Sequence, residues 1–145
     1  MATPTDSGFT FDRVWVRTVR FDDTGIEVQP GKRQAELELG VSIDVPEDNS
    51  QAVVSLTITV KPKDPNEFNP FEVTLEGRFR PTAEEHKAKL KEFVNRQGAA
   101  LLVPFAREVI ANVTMRSRLG PLLLPPLNVY NIADEKAAAE EKQEK

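Results

Sequence analysis

The sequence contains no cysteine. That absence removes disulfide staples, thiolate metal sites and cysteine nucleophiles together, and it suits a reducing compartment. Histidine occurs once, as His86, between Glu85 and Lys87 in a charged stretch. No second ligand or nucleophile is signalled beside it, so it reads as an exposed helical residue. The seven glycines are scattered and form no G-x-G core, which excludes a phosphate-cradling loop. No apolar run approaches the ~20 residues of a membrane-spanning helix. The N-terminal residues have neither a basic start nor an apolar core segment, so a secretory leader is not expected. Asp22 and Asp23 are neighbouring carboxylates, but neighbours on a strand point to different sides, and loop solvation suits them better than chelation. No enzyme chemistry, metal or cofactor is expected.

What is present is a chain of 145 residues with a net charge of −4. A chain of this size buries roughly two-thirds of its unfolded surface as one domain. The negative balance argues against nucleic acid as the main partner. The expectation is an intracellular protein with one domain over residues 9–132, a polar, disordered segment over 1–8, and a charged tail over 133–145.

Four stretches read as strands. The first, Phe9 to Phe21, mixes β-branched and aromatic residues with arginines. The second, Ala35 to Val45, alternates, with Leu37, Leu39, Val41 and Ile43 on one face and Glu36, Glu38, Ser42 and Asp44 on the other. The third, Gln51 to Lys61, places Val54, Leu56, Ile58 and Val60 inward. The fourth, Pro70 to Arg80, places Phe71, Val73, Leu75 and Phe79 inward and Glu72, Thr74, Glu76 and Arg78 outward. Such alternation marks an antiparallel sheet covered on one side. Pro46 to Ser50 is short enough for a hairpin, whereas Asp22 to Gln34 is long, so strand one is expected to pair elsewhere. A four-stranded Greek-key sheet with a crossover loop is the arrangement these lengths imply.

The period then changes. Thr82 and Glu85 read as the N-cap and closing residue of a capping box. The charged run to Gln97 carries Leu90, Phe93 and Val94 as its apolar stripe, and Gly98 ends or bends it. From Ala99 to Arg116 the helix is far more apolar. Leu101, Phe105, Val109 and Val113 form one stripe, and Leu102, Ala106 and Ile110 a second. Together they are wide enough to meet both the sheet and another helix. Pro104 belongs in a first turn or kinks the helix. Gly120 closes it, and residues 121–127 form an extended apolar loop. The tail from Asp134 is either a frayed helix or solvated, since only alanines are available to bury. The fold class is α+β.

The run Pro104-Phe-Ala-Arg-Glu108, then Arg116 to Gly120, then Pro126-Leu-Asn-Val129, resembles the SecB protein-export chaperone family in order and spacing. Arg13 ahead of Val19-Arg-Phe-Asp22, and Phe71-Glu72-Val73 ahead of Gly77, fit the same pattern. The resemblance spans roughly residues 9–130. It implies a cytoplasmic, ATP-independent holdase with no cofactor, assembled as a homotetramer, a dimer of dimers, that holds unfolded preproteins and delivers them to the SecA motor ATPase. It gives the surplus helix stripe a partner, with Val14, Val16, Leu101, Phe105, Val109 and Val113 at subunit interfaces. On strand one it places Val14 and Val16 outward and Trp15 inward.

Client-groove candidates are the apolar residues without a periodic core role: Ile26, Val28, Leu122, Leu124, Leu127, Tyr130 and Ile132. The leucines equally suit a cap on the core. Asp22 and Glu72 match the family's motor-docking face, which Glu36, Glu38 and Asp44 would extend. Two departures stand out. The crossover loop lacks the family's aromatics, and the tail lacks an apolar face. They admit a chaperone dedicated to one partner, such as an antitoxin. A SecB-fold module that binds a folded partner is the remaining alternative.

Overall fold

The computed structural model describes residues 7–22, 36–61, 71–117 and 120–124. The N-terminal segment to residue 6, the crossover connection 23–35, the 62–70 connection and the tail from residue 125 lie outside the described residues. Strands β1 (Phe9–Phe21), β2 (Glu36–Asp44), β3 (Ala52–Lys61) and β4 (Phe71–Pro81) form one antiparallel sheet in the order β1-β4-β3-β2. Strand β1 therefore lies beside β4 and not beside its neighbour in sequence, as expected of a Greek key. The β2–β3 hairpin turns through Pro46 to Ser50. There the Asn49 N–H donates to the Pro46 carbonyl at 3.0 Å, and Asp48 accepts from both the backbone and the hydroxyl of Ser50.

Alternation in β3 and β4 is as read from sequence: Val54, Leu56, Ile58, Phe71, Val73, Leu75 and Phe79 are buried. Strand β1 needs a different account. Its register against β4 slips between Phe11 and Arg13 and again between Val16 and Thr18, so Asp12 and Arg17 are extra residues in two bulges. Each bulge reverses the side-chain parity. The inner face of β1 is accordingly Phe9 and Phe11, then Val14 and Val16, then Val19 and Phe21, opposite Pro81, Phe79, Gly77, Leu75, Val73 and Phe71. This corrects the expected facing. Val14 and Val16 point inward, and Trp15 points outward, where its indole N–H donates to Glu76 at 3.0 Å.

The helical region starts later and less regularly than a capping box implies. Thr82 lies in a bend after β4, and its N–H donates to the Gly8 carbonyl at 2.9 Å. Ala83 occupies the cap position with no side-chain bond to the helix. A 3₁₀ segment (Glu84–Lys89) leads into a single α-turn, α1 (Leu90–Phe93), a π-turn (Val94–Gly98) and the main helix α2 (Ala99–Thr114). Leu90, Val94, Gly98, Leu102, Ala106, Ile110 and Thr114 are all buried, at every fourth residue. A pure α-helix drifts about 40° per step off such a stripe, and the wider π-turn takes up part of that drift.

Gly98 does not end the helix: its backbone is helical, at φ −55°. What it supplies is space, because a Cβ there would lie 2.8 Å from Val54 Cγ2. Pro104 sits inside α2 at an exposed position, where it removes one intrahelical donor. The helix lies across β3 and β4 and touches β1. The Phe9 ring stacks on Phe93 at 4.4 Å and joins strand to helix, while Phe11 stacks on its cross-strand partner Phe79 at 4.7 Å within the sheet.

Replacing Gly98 by alanine tests the close approach. Helix propensity alone favours alanine by about 1 kcal/mol, but overpacking costs about 1–3 kcal/mol. The urea midpoint of Gly98→Ala is expected to fall, while that of the exposed control Asn95→Ala holds or rises.

Candidate binding surfaces

Three surfaces remain once the core is closed. The first is the inner face of β2. Leu37, Leu39, Val41 and Ile43 are directed at the core but only half-buried, whereas their cross-strand partners Val54, Leu56, Ile58 and Val60 on β3 are buried. Beyond α2, the Gly120 N–H donates to the Ser117 carbonyl at 3.1 Å and closes a turn. Gly120 has φ +74°, a conformation that glycine adopts without strain. Buried Thr114 fixes the extended segment after that turn: its hydroxyl donates to the Ile110 carbonyl and accepts the Leu122 N–H, both at 2.7 Å. Leu122 and Leu124 thereby turn against the core, half-buried, and Leu123 is left 75% exposed. Leu122 and Leu124 thus cap the core while part of each side chain stays at the surface. Leu123 is not among the residues expected from sequence; the signal for it is the i±1 alternation of an extended segment. Ile26, Val28, Leu127, Tyr130 and Ile132 lie outside the described residues.

The second surface is apolar and borders the edge strand. Leu102, Ala106 and Ile110 are buried on the sheet, while Leu101 and Phe105 are exposed and Val109 and Val113 half-buried. The Phe105 ring meets Phe11 edge-on at 5.7 Å, which joins this stripe to the inner face of β1. There Val16 and Val19 are exposed and Val14 half-buried. The six residues expected at an interface thus fall into two bordering groups.

The third surface is the outer face of the sheet, which is mostly polar, with Trp15 and Val53 as apolar members. Glu76 accepts from Trp15 and from the Ser55 hydroxyl at 2.8 Å, and Arg17 stands 3.6 Å away. Arg78 grips Asp12 through two guanidinium nitrogens at 3.1 and 2.9 Å, and Arg80 adds a longer contact at 3.6 Å. The Thr57 and Thr74 hydroxyls bond at 2.9 Å. Asp22 follows the last paired residue of β1, and Glu72 faces Arg20 across the strands, so both carboxylates stand at one end of the sheet. Glu38 and Asp44 are exposed on β2, and the side chain of Glu36 lies outside the described residues.

Among the described residues no cluster of three His, Cys, Asp or Glu could hold a metal, and no helix is long and apolar enough to cross a membrane. His86 is half-buried beside Glu85 and the ring of Phe9.

A Greek-key sheet with one helix over half of one face, and apolar residues to spare on helix and edge strand, is a SecB-like fold. The solved structure of the Mycobacterium tuberculosis SecB-like chaperone Rv1957, in complex with a ChAD peptide from the HigA1 antitoxin Rv1956, matches with a TM-score of 0.60 at 19% identity. The match covers 84% of this chain and 91% of that one. The uncharacterized protein MJ0357 of Methanocaldococcus jannaschii is 25% identical over 154 residues, covering 99% of this chain and 97% of that protein. The family model for SecB, preprotein translocase subunit SecB, matches residues 3–140, and the chain belongs to the SecB family. Its members are chaperones, not enzymes.

The hydrogen bonds from Arg78 hold the Asp12 carboxyl below its ordinary value of 3.8. A carboxyl depressed in the folded state stabilises the fold above its unfolded value, and that contribution is lost as the pH falls through the folded value. Between about pH 5 and pH 3 the urea midpoint of the wild type is expected to drop more than that of Asp12→Asn. Equal losses would mean that the pair contributes no stability.

Proposed function

We propose that the chain is an ATP-independent holdase that keeps polypeptide segments extended along the inner face of β2 and the Leu122–Leu124 segment. The carrying observation is the half-open apolar strip on β2, beside buried β3, together with the outward Leu123. A chain held there offers alternating apolar side chains to half-buried positions, a mode that needs no nucleotide and gains avidity when several subunits engage one client. The reading places the protein in the cytoplasm as a homotetramer. Leu101, Phe105, Val109 and Val113 of α2 meet a second helix layer, and Val14 and Val16 meet a neighbouring edge strand. Surplus apolar surface on two bordering elements supports this.

Two client ranges fit. In the first, the clients are unfolded preproteins, released to a SecA-type motor docked at Asp22 and Glu72 with Glu36, Glu38 and Asp44 around them. In the second, the protein serves one partner. That range is favoured by the antitoxin peptide bound to the fold relative from M. tuberculosis and by the absence of aromatics between Asp22 and Gln34.

The test is aggregation of a slow-folding protein diluted from denaturant, followed by light scattering without nucleotide. Suppression near one assembly per client is expected, and Leu123→Ser, a surface change within about ±0.5 kcal/mol of wild-type stability, should weaken it several-fold. No suppression at several-fold excess would remove the general holdase and leave a dedicated chaperone or a folded-partner module, which co-purification from the native cell would separate. In sedimentation, Leu101→Glu and Phe105→Glu should each shift the assembly to a smaller species. An unchanged mass would move the interface elsewhere.

A further inference from the structure

The outer face of β1 departs from a merely solvated face. Its two bulges insert Asp12 and Arg17, so β1 carries more polar side chains away from the core than a regular strand would. Between them stands Trp15, the only tryptophan in the chain, on the polar side of the sheet and half-buried there. The ring is held by the Glu76 bond, and the Arg13 guanidinium lies over it at 5.6 Å. Four guanidinium groups (Arg13, Arg17, Arg78 and Arg80) share this corner with two carboxylates, Asp12 and Glu76.

Both carboxylates are already engaged. Asp12 is taken by Arg78 and Arg80, and Glu76 by Trp15, Ser55 and a long contact to Arg17. Arg13 forms no ion pair among the described residues, and the Arg17 side chain is 68% exposed. A local excess of positive charge on a chain of net charge −4 is not a general property of its surface. Tryptophan flanked by arginines, with the ring pinned in place, is the composition that dominates the energetics of protein interfaces.

We propose that this corner of the outer face docks an acidic, extended polypeptide segment of a partner protein. Arg13 and Arg17 lie about 13 Å apart along the strand at ~3.3 Å per residue. The matching ligand therefore has carboxylates about four residues apart, flanking an aromatic or apolar residue that rests on Trp15. Nucleic acid fits less well, because Asp12 and Glu76 stand within the patch and the whole chain repels a polyanion. The surface faces away from α2 and from the proposed client strip, so it is independent of that strip, and it shares the outer face with Asp22 and Glu72, which stand toward the other end of β1.

Trp15 reports on its own surroundings, since no other tryptophan contributes to the emission. The probe is a blocked heptapeptide with two glutamates, each two residues from a central phenylalanine, titrated into the full-length chain. Its lysine counterpart and a short oligothymidylate serve as the other arms. The acidic peptide is expected to change Trp15 emission saturably, with an affinity that falls as salt rises. Arg17→Glu should weaken it about tenfold and Arg13→Glu with Arg17→Glu should abolish it, while Arg96→Glu on the helical side leaves it unchanged. Aggregation suppression by the double variant should match that of the wild type, which shows that it is folded and separates this site from the client strip. A response to the lysine peptide or to the oligonucleotide as strong as to the acidic one overturns the proposal. So does the absence of any response at millimolar acidic peptide.

Discussion

A single helix about 10 Å across cannot cover a sheet of four strands spaced about 4.8 Å apart. Most of the features that distinguish this subunit stem from that mismatch. Where α2 crosses β3 and β4, side chains close completely around Leu56, Leu75, Leu102 and Ile110. On either side of the crossing, the same inward alternation runs on with no helix over it among the described residues. Leu37 to Ile43 stay half-buried on β2, and Val16 and Val19 stay open on β1. The helix has the complementary problem. A stripe at four-residue spacing satisfies the sheet, and the neighbouring stripe of Leu101 and Phe105 is left over.

Part of this was legible from residues alone. The strands β2, β3 and β4, the hairpin at Pro46 to Ser50, and the pairing of β1 with a strand other than β2 all follow from period-2 alternation and connection lengths. Two helical stripes at i, i+4 spacing foretold one buried face and one spare. The exceptions are each local. On β1, no composition rule marks Asp12 or Arg17 as an extra residue, so a fixed parity sends Trp15 inward and Val14 outward. On the helix, Gly98 reads as a stop or a bend by its conformational freedom, yet it is the close approach of Val54 that needs a glycine there. Thr82 fits a capping box by spacing, but its N–H is engaged by Gly8 before the helix begins. At the candidate site, Leu122 and Leu124 were readable as apolar residues without a periodic role. The hydrogen bond from the Leu122 N–H to Thr114, which decides that Leu123 is the outward one, carries no sequence signature.

The two faces of the sheet are chemically separate because β3 and β4 keep strict alternation. Thr57 bonds Thr74 and Ser55 bonds Glu76 on one side, within two residues of Leu56 and Leu75 on the other. A polypeptide bound on the inner face and a partner bound on the outer face would be about one sheet thickness apart, with no shared side chain. Charge changes on the outer face can thus alter partner choice without disturbing the apolar strip beneath.

The bulges of β1 have a bearing on self-association as well. An edge strand with free backbone groups is a template on which further strands can add indefinitely, and a chain that leaves apolar surface open is especially exposed to that fate. Two bulges within thirteen residues bend and over-twist β1, and they break its row of amide and carbonyl groups into short, out-of-phase segments. A regular strand cannot zip along such an edge for more than a few residues. The same irregularity that defeats a simple reading of β1 therefore works against continuous strand addition along this edge.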